Sequence, residues 1–483
     1  MPLSAPDPGT SSAGNAAADM ARARTRQAWL CVALVLAAKA GAALLDTTVR
    51  LFMGDSGSYL LGALTGWVPG DRSFLYGWMI GATAVPLHSI HALFALQTLF
   101  GVGSAMLLYA WLRRGVGAGA AIATLAAVAF ALEPAQLFYE RMVMAESAGL
   151  LALALFFAGA SVYVRSGRWY WIAVYVTCGL LAVAMRLSLL PMVLVLGLLA
   201  PLVRGMFNPD ERARAWRRRI ARTALHAAVA AAFTFGLHSA YTHWYGALAK
   251  TEPGYIAQAG MFRLGLVLPL VHADHLRASG IDPALLDELA IDPRDPRRRE
   301  AQLWLPGGMQ ATLRRHTRDA DAVAGEISMR ALRDDPLGLV RMGLATVADY
   351  FDPTVAVPRL HNDLGRVPPD ARHAQMLLDA FGYDISGVPA STTPAVRWFA
   401  FGAPWLVLCL LLLAPLALAA LALGWRAPGR DLRVLLCLAS LGLVAQHVLF
   451  SHIVSYRYLH PLPWFMLANG AALAAALRSR LRR

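Results

Sequence analysis

Apolar runs close to the roughly 20 residues a helix needs to cross a bilayer recur along this chain and leave it few architectures. They lie near 28–45, 88–112, 116–132, 146–164, 169–185, 188–203, 223–241, 396–424, 432–450 and 461–477. The expected fold is therefore an all-α polytopic membrane protein of about ten transmembrane helices. Composition points the same way. Charged residues make up 15% of the chain and hydrophobic residues 57%, against about 25% charged in ordinary soluble domains. The stretch before the second span is too long for one crossing, so Ser73–Pro86 reads as a short juxtamembrane helix. All four cysteines, Cys31, Cys178, Cys409 and Cys437, fall inside apolar runs. They read as small buried side chains with no disulfide.

Arginine placement sets the expected orientation. With the N-terminus in the cytoplasm, cytoplasmic segments hold twenty-one Arg, including Arg113, Arg165 and the 204–222 loop. The opposite short loops hold five: Arg50, Arg72, Arg141, Arg186 and Arg457. The N-in, C-in arrangement follows, with an even number of spans. It accounts for the net charge of +14 without nucleic acid as a partner. The Arg-rich 212–222 run reads as a cytoplasmic anchor to anionic membrane lipids. Residues 1–27 read as a disordered basic cytoplasmic tail without a cleavable signal, and 478–483 as a second basic tail. Abundant Ala, Gly and Arg suggest a GC-rich bacterial genome.

The outer side then receives the loop 46–77, the stretch 133–146, the Arg186 hairpin, the 242–395 region and the turn around Arg457. Between spans 7 and 8, residues 242–395 mix 16 basic with 19 acidic residues and read as a mostly helical periplasmic insertion. Two helices are expected in it. One covers 309–332. The other covers Asp335–Phe351, begun by Pro336 behind Asp334 and Asp335. Leu337, Val340, Leu344, Val347 and Phe351 give it an apolar stripe, for the membrane surface or for the helix bundle.

Charged groups on the outer side are the candidates for chemistry. Asp55, at the edge of a span, is costly unless solvated or paired; it is either functional or a turn residue in Gly-Asp-Ser-Gly. Arg72, Arg457 and Arg186, in that order, are the cations offered to a phosphate, since guanidinium matches its oxygens bidentately. For each, interfacial snorkelling is the competing reading. Tyr456, Tyr458, His460 and Trp464 form an aromatic belt or a surface for stacking on a sugar. Lys39, inside the first span, either pairs with an acid such as Asp46 or lines a lipid groove. His272 and His275 carry no metal-site pattern, and no phosphate-cradling Gly-rich loop is present.

The order of these features resembles the C-type glycosyltransferases, the superfamily of protein O-mannosyltransferases and the lipid A aminoarabinose transferase. The resemblance rests on Asp55 and Tyr59 in the first outer loop, the re-entry RSFLYGWMI, YERMVMAESAGLLALALFF opening the fourth span, MRLSLLPMVLVLGLLAPL, and YRYLHPLPWF near the end. It covers residues 28–241 best, implying a catalytic transmembrane module there. The region 242–395 would be a cap and 396–477 three closing helices. It implies a sugar moved from a polyprenyl-phosphate donor to a cell-envelope glycan, lipid or protein, on the periplasmic face of a bacterial inner membrane. Asp55 is implied as the base, with inversion, and Glu146 as the second acidic residue, with Glu140 competing for that place. Tyr59, Tyr456, Tyr458 and His460 are implied in substrate binding. Many relatives carry an acidic pair in the first loop, whereas Asp55 is followed by Ser56; this departure counts against a metal-bridged site, so a divalent metal is only an option and no metal ligand is assigned. Two other classes stand beside this one. An O-antigen-type polymerase or ligase with a diphosphate-linked donor needs outer arginines but no early Asp. A transporter or flippase needs charges near the midplane and an internal repeat; Lys39 is the one firm midplane charge, and no repeat is seen.

Overall fold

The computed structural model describes residues 8–481, with side chains from residue 18 onward. Residues 1–7 and 482–483, parts of the two basic tails, lie outside the described residues. The remainder of the N-terminal tail is helical and not irregular: α1 runs Pro8–Leu45 without a break. Its alanine-rich stretch is the strongest helix-forming composition available, so the first span extends toward the N-terminus. Among the described residues every regular element is helical, and the one β-type contact is an isolated bridge between Arg50 and Met142.

Following α1 come α2 (Met53–Thr65), α3 (Leu75–Thr83), α4 (Ile90–Gly115), α5 (Ala120–Ala131) and α6 (Pro134–Tyr139). Next are α7 (Glu146–Ser166), α8 (Tyr170–Met185), α9 (Leu190–Phe207), α10 (Pro209–Arg212) and α11 (Trp216–Ala249). Among the described residues seven helices are long and apolar enough to cross a membrane: the Ala18–Leu45 part of α1, α4, α7, α9 with its leading turn, α11, and two later ones, Pro394–Leu423 and Arg430–Phe450. The chain is a multi-pass membrane protein. The other three expected spans fall on shorter or less apolar helices. With 12 residues, α5 reaches only about 18 Å at 1.5 Å per residue. It stops because Glu133 caps the next helix, accepting from Gln136 N at 2.6 Å, and Pro134 follows at its first position.

The most buried of the long helices is α7. Gly159 lets α8 approach closely, since a Cβ there would lie 3.1 Å from Tyr175. The long α11 presents Leu225, Phe233 and Phe235 outward, a lipid-facing surface. Lys39 does not pair with Asp46. Its ammonium meets Glu140, at 2.5 Å, in a fully buried ion pair, and Asp46 instead accepts from the backbone of Thr48 and Ala395. Asp46 lies past the turn that ends α1, whereas Glu140 is brought alongside by α6.

The 242–395 region contains α12 (Ala259–Val267), α13 (Ala273–Ala278), α14 (Arg299–Trp304), α15 (Met309–His316) and α16 (Ala320–Asp334). It continues with α17 (Pro336–Asp349), α18 (Pro353–Asp363) and α19 (Ala371–Phe381). It has its own small core around Leu264, Leu313 and Ile327. The helix expected over 309–332 is two, because Thr317 is extended and its hydroxyl accepts from Asp319 N at 3.2 Å. That local bond competes with helix continuation. Asp335 caps α17, accepting from Gly338 N. The small face of α17 packs on α21 (Arg430–Phe450), where Gly343 sits against Val448 O. Three residues of the stripe face outward, Leu337 at 67% exposed, Leu344 at 55% and Phe351 at 60%, whereas Val340 and Val347 are half-buried and Val347 packs on the bundle core. The chain closes with α20 (Pro394–Leu423), which precedes α21, and α22 (Leu462–Leu481).

Candidate active site

The first loop is built to hold its charges. Ser56, fully buried, accepts from Phe52 N at 2.7 Å and donates to Val143 O at 2.8 Å, which ties the start of α2 to the stretch before α7. One residue earlier, Asp55 sits in the first turn of α2. The loop carrying Arg72 is anchored separately. Tyr245 donates to Pro69 O, Ala257 N donates to Gly70 O, and Phe74 packs among Tyr241, Trp244 and Tyr245.

These anchors bring Asp55 between two guanidiniums. Its Oδ1 lies 2.8 Å from Arg72 Nη1, and its Oδ2 accepts from Arg457 Nη1 at 2.7 Å. Arg72 also grips Asp71, at 3.1 and 2.5 Å, and lies over the Tyr59 ring. Arg457 stacks on Phe52 with 4.5 Å to the ring centre. Burial alone would raise the Asp55 carboxyl, but Arg72 and Arg457 more than offset it and hold it below the usual carboxylate range. Burial likewise works against the charge of Arg72, and Asp55 and Asp71 outweigh it.

The turn bearing Arg457 is fixed by residues from the 242–395 region that carried no signal in the sequence. Tyr350 donates to Ser455 O at 2.9 Å. Asp363, fully enclosed, accepts from Ser455 Oγ and from Tyr456 N. Burial pushes the Asp363 carboxyl up to about 7, partly offset by Arg457. No motif marks Asp363, because its partner lies 92 residues away.

Arg186 and Glu146 complete the cluster. Arg186 ends α8 in an extended conformation and donates from Nη2 to Arg457 O at 3.0 Å. Its stem lies across Gly149, where a Cβ would meet Arg186 Cγ at 3.0 Å. Glu146 is the first residue of α7, one turn before Gly149, and is 3% exposed. Its Oε2 has no hydrogen-bond partner among the described residues, nor does Arg186 Nη1.

Asp55, Tyr59, Arg72, Glu146, Arg186, Arg457 and Tyr458 all line one cavity of about 480 Å³. Around this polar floor rise apolar walls from Leu187, Pro191, Phe262, Trp304, Leu443 and Phe450. Three other candidates lie elsewhere. Glu140 is held by Lys39 and Gln136, His460 is buried and bonded to Gln136 at 2.9 Å, and Tyr456 packs edge-on against Tyr350. Ionisable cavity residues that went unread in the sequence include Asp71, His447 and His452. Burial, reinforced by Arg299, Arg457 and Arg359, takes the His452 imidazole down to about 3, so it is neutral.

The cavity does not suit a divalent cation, which needs several free oxygen ligands. Asp55 and Asp71 have their oxygens on guanidiniums, and Ser56 is turned toward Val143. Comparison with protein-family models, curated proteins and solved structures finds no match for this chain, so the reading of the site rests on its geometry.

Proposed function

We propose that the protein is a glycosyltransferase of a bacterial inner membrane, with ten spans and both termini in the cytoplasm. It takes a sugar from a polyprenyl-phosphate donor and passes it to a glycan, lipid or protein of the cell envelope on the periplasmic face. One observation carries this reading: acids and arginines from four distant stretches converge on a single cavity whose walls are apolar. Anion-matching guanidiniums beneath an oily wall suit a phosphate that carries a prenyl chain. A sugar phosphate already has a good leaving group, so the reaction needs a proton acceptor for the incoming hydroxyl and cations for the charge gathering on the phosphate. Both kinds of group line the cavity. The 242–395 region supports the same reading, since Phe262, Leu266 and Trp304 join its wall and Asp363 and Tyr350 hold the Arg457 turn. A transport role loses its main support, because the charge of Lys39 is neutralised by Glu140.

The experiment compares envelope glycans by mass spectrometry in strains with and without the protein. One sugar substituent is expected to vanish with the protein and return with a plasmid copy. Identical glycan profiles would overturn the proposal.

A further inference from the structure

Three carboxylates and three guanidiniums line the cavity, and they are not equally engaged. Asp55 has one oxygen on Arg72 and the other on Arg457. Asp71 has both oxygens on Arg72. Glu146 alone keeps a buried oxygen, Oε2, without a partner. Among the guanidiniums, Arg72 and Arg457 both lie against Asp55, Arg72 through an Nη1 that makes no hydrogen bond, whereas Arg186 makes no ion pair among the described residues, bonds a backbone carbonyl through Nη2 and leaves Nη1 buried and unbonded. A buried polar atom left unpaired is costly, more so if charged. Of the cavity's buried atoms without a hydrogen bond (Arg72 Nη1, Glu146 Oε2, Arg186 Nη1, Gln446 Oε1 and His447 Nε2), Glu146 Oε2 and Arg186 Nη1 belong to the acid and the guanidinium that make no ion pair among the described residues. Their proximity is built in: Arg186 crosses Gly149, one turn along α7 from Glu146.

On the reading of the cavity as a lipid-linked sugar site, we infer that Glu146 takes the acceptor's proton and Arg186 receives the departing phosphate, while Asp55 holds Arg72 and Arg457 in position. This reassigns the base from Asp55, whose oxygens each face a guanidinium that favours the charged carboxylate over its protonated form. In the step itself the acceptor oxygen bonds to the anomeric carbon as the bond from that carbon to the phosphate oxygen breaks. The bonding pair leaves with the phosphate, and the hydroxyl proton moves to Glu146 Oε2. A phosphodiester with one negative charge becomes a prenyl monophosphate with two, so the new charge appears where a free guanidinium stands. His447 is the rival proton acceptor, since its Nε2 is also unpartnered and lines the cavity. It bonds Ser451 and lies beside Tyr350, toward the 242–395 region.

The test uses the full chain in two formats. Membranes of a host supplying its own donor and acceptor report transfer by mass spectrometry of the envelope glycan, with variants compared at equal protein level. Purified protein reports binding of undecaprenyl phosphate relative to undecaprenol. Glu146→Gln is expected to lower transfer about 100-fold or more, with undecaprenyl phosphate affinity changed by less than about twofold. Glu146→Ala is expected to regain transfer when formate is added to permeabilised membranes, which a purely structural role would not allow. Arg186→Met is expected to lose about 10-fold or more of the preference for phosphate over alcohol. Normal transfer by Glu146→Gln, or no formate rescue of Glu146→Ala, overturns the inference and leaves the parent reading standing. So does loss of transfer in His447→Gln with binding intact, which would make His447 the acceptor. A wild-type protein that does not prefer undecaprenyl phosphate to undecaprenol overturns the parent reading, and the inference falls with it.

Discussion

Ion pairs decide most of what single residues do in this chain. Lys39 and Glu140 are both fully buried, so removing one leaves the other uncompensated at a cost of about 3–5 kcal/mol. Lys39→Met or Glu140→Gln is therefore expected to lower the thermal stability of the detergent-solubilised protein strongly, and the double variant to recover much of the loss. Equal losses in all three would contradict the pairing. Titration separates Asp363 from Asp55. With the Asp363 carboxyl at about 7 in the fold against about 3.9 when unfolded, its contribution to stability is complete below pH ~4 and disappears as pH rises through 7. The Tm of the wild type relative to Asp363→Asn should thus fall between pH 5 and 8; a flat difference would count against it. Asp55 is depressed, so its contribution is present above the unfolded value and lost only as pH falls through the folded one. The charges themselves were legible from the sequence, because Arg72, Arg186 and Arg457 stand out once the basic loops are assigned to one side. Their partners were not. Glu140 and Glu146 lie six positions apart in one stretch, and only the turn between α6 and α7, with its bridge from Met142 to Arg50, sends one to Lys39 and the other to the cavity.

Among the elements, α17 shows how far periodicity reaches. Its start was readable from Pro336 behind Asp335, and its stripe from the spacing of Leu337, Leu344 and Phe351. Which face packs was not readable, because the bundle accepts the small face: Gly343 lies against Val448 O, where a Cβ would sit 1.6 Å away. Gly343→Leu is expected to lift α17 from α21, costing about 1–3 kcal/mol as overpacking. The measurement is limited proteolysis, with cleavage within residues 336–363 accelerated while α21 stays intact; an unchanged pattern would refute the contact. The same steric logic applies at Gly149. A methyl group there meets the Arg186 stem at 3.0–3.1 Å, so Gly149→Ala should weaken undecaprenyl phosphate binding without unfolding the protein. Helix ends set by local chemistry, such as the break at Thr317, escape a reading based on apolar spacing.

For the whole molecule, apolar runs made the helical membrane class legible because hydrocarbon leaves the backbone no alternative. The length of each crossing was less legible, as α5 shows, since Glu133 and Pro134 end it after 12 residues. The convergence of residues 55, 72, 146, 186 and 457 was legible only as a shared side and not as a shared cavity. The proposed N-in, C-in orientation predicts that single cysteines replacing Glu252 and Arg426 react differently with a membrane-impermeant maleimide on intact spheroplasts: position 252 labels and position 426 does not. The most direct measurement of the central claim is the envelope glycan of a strain whose only copy carries Asp55→Asn, inserted at the wild-type level. Loss of the sugar that the wild-type protein adds is the expected result. An unchanged glycan would contradict the account.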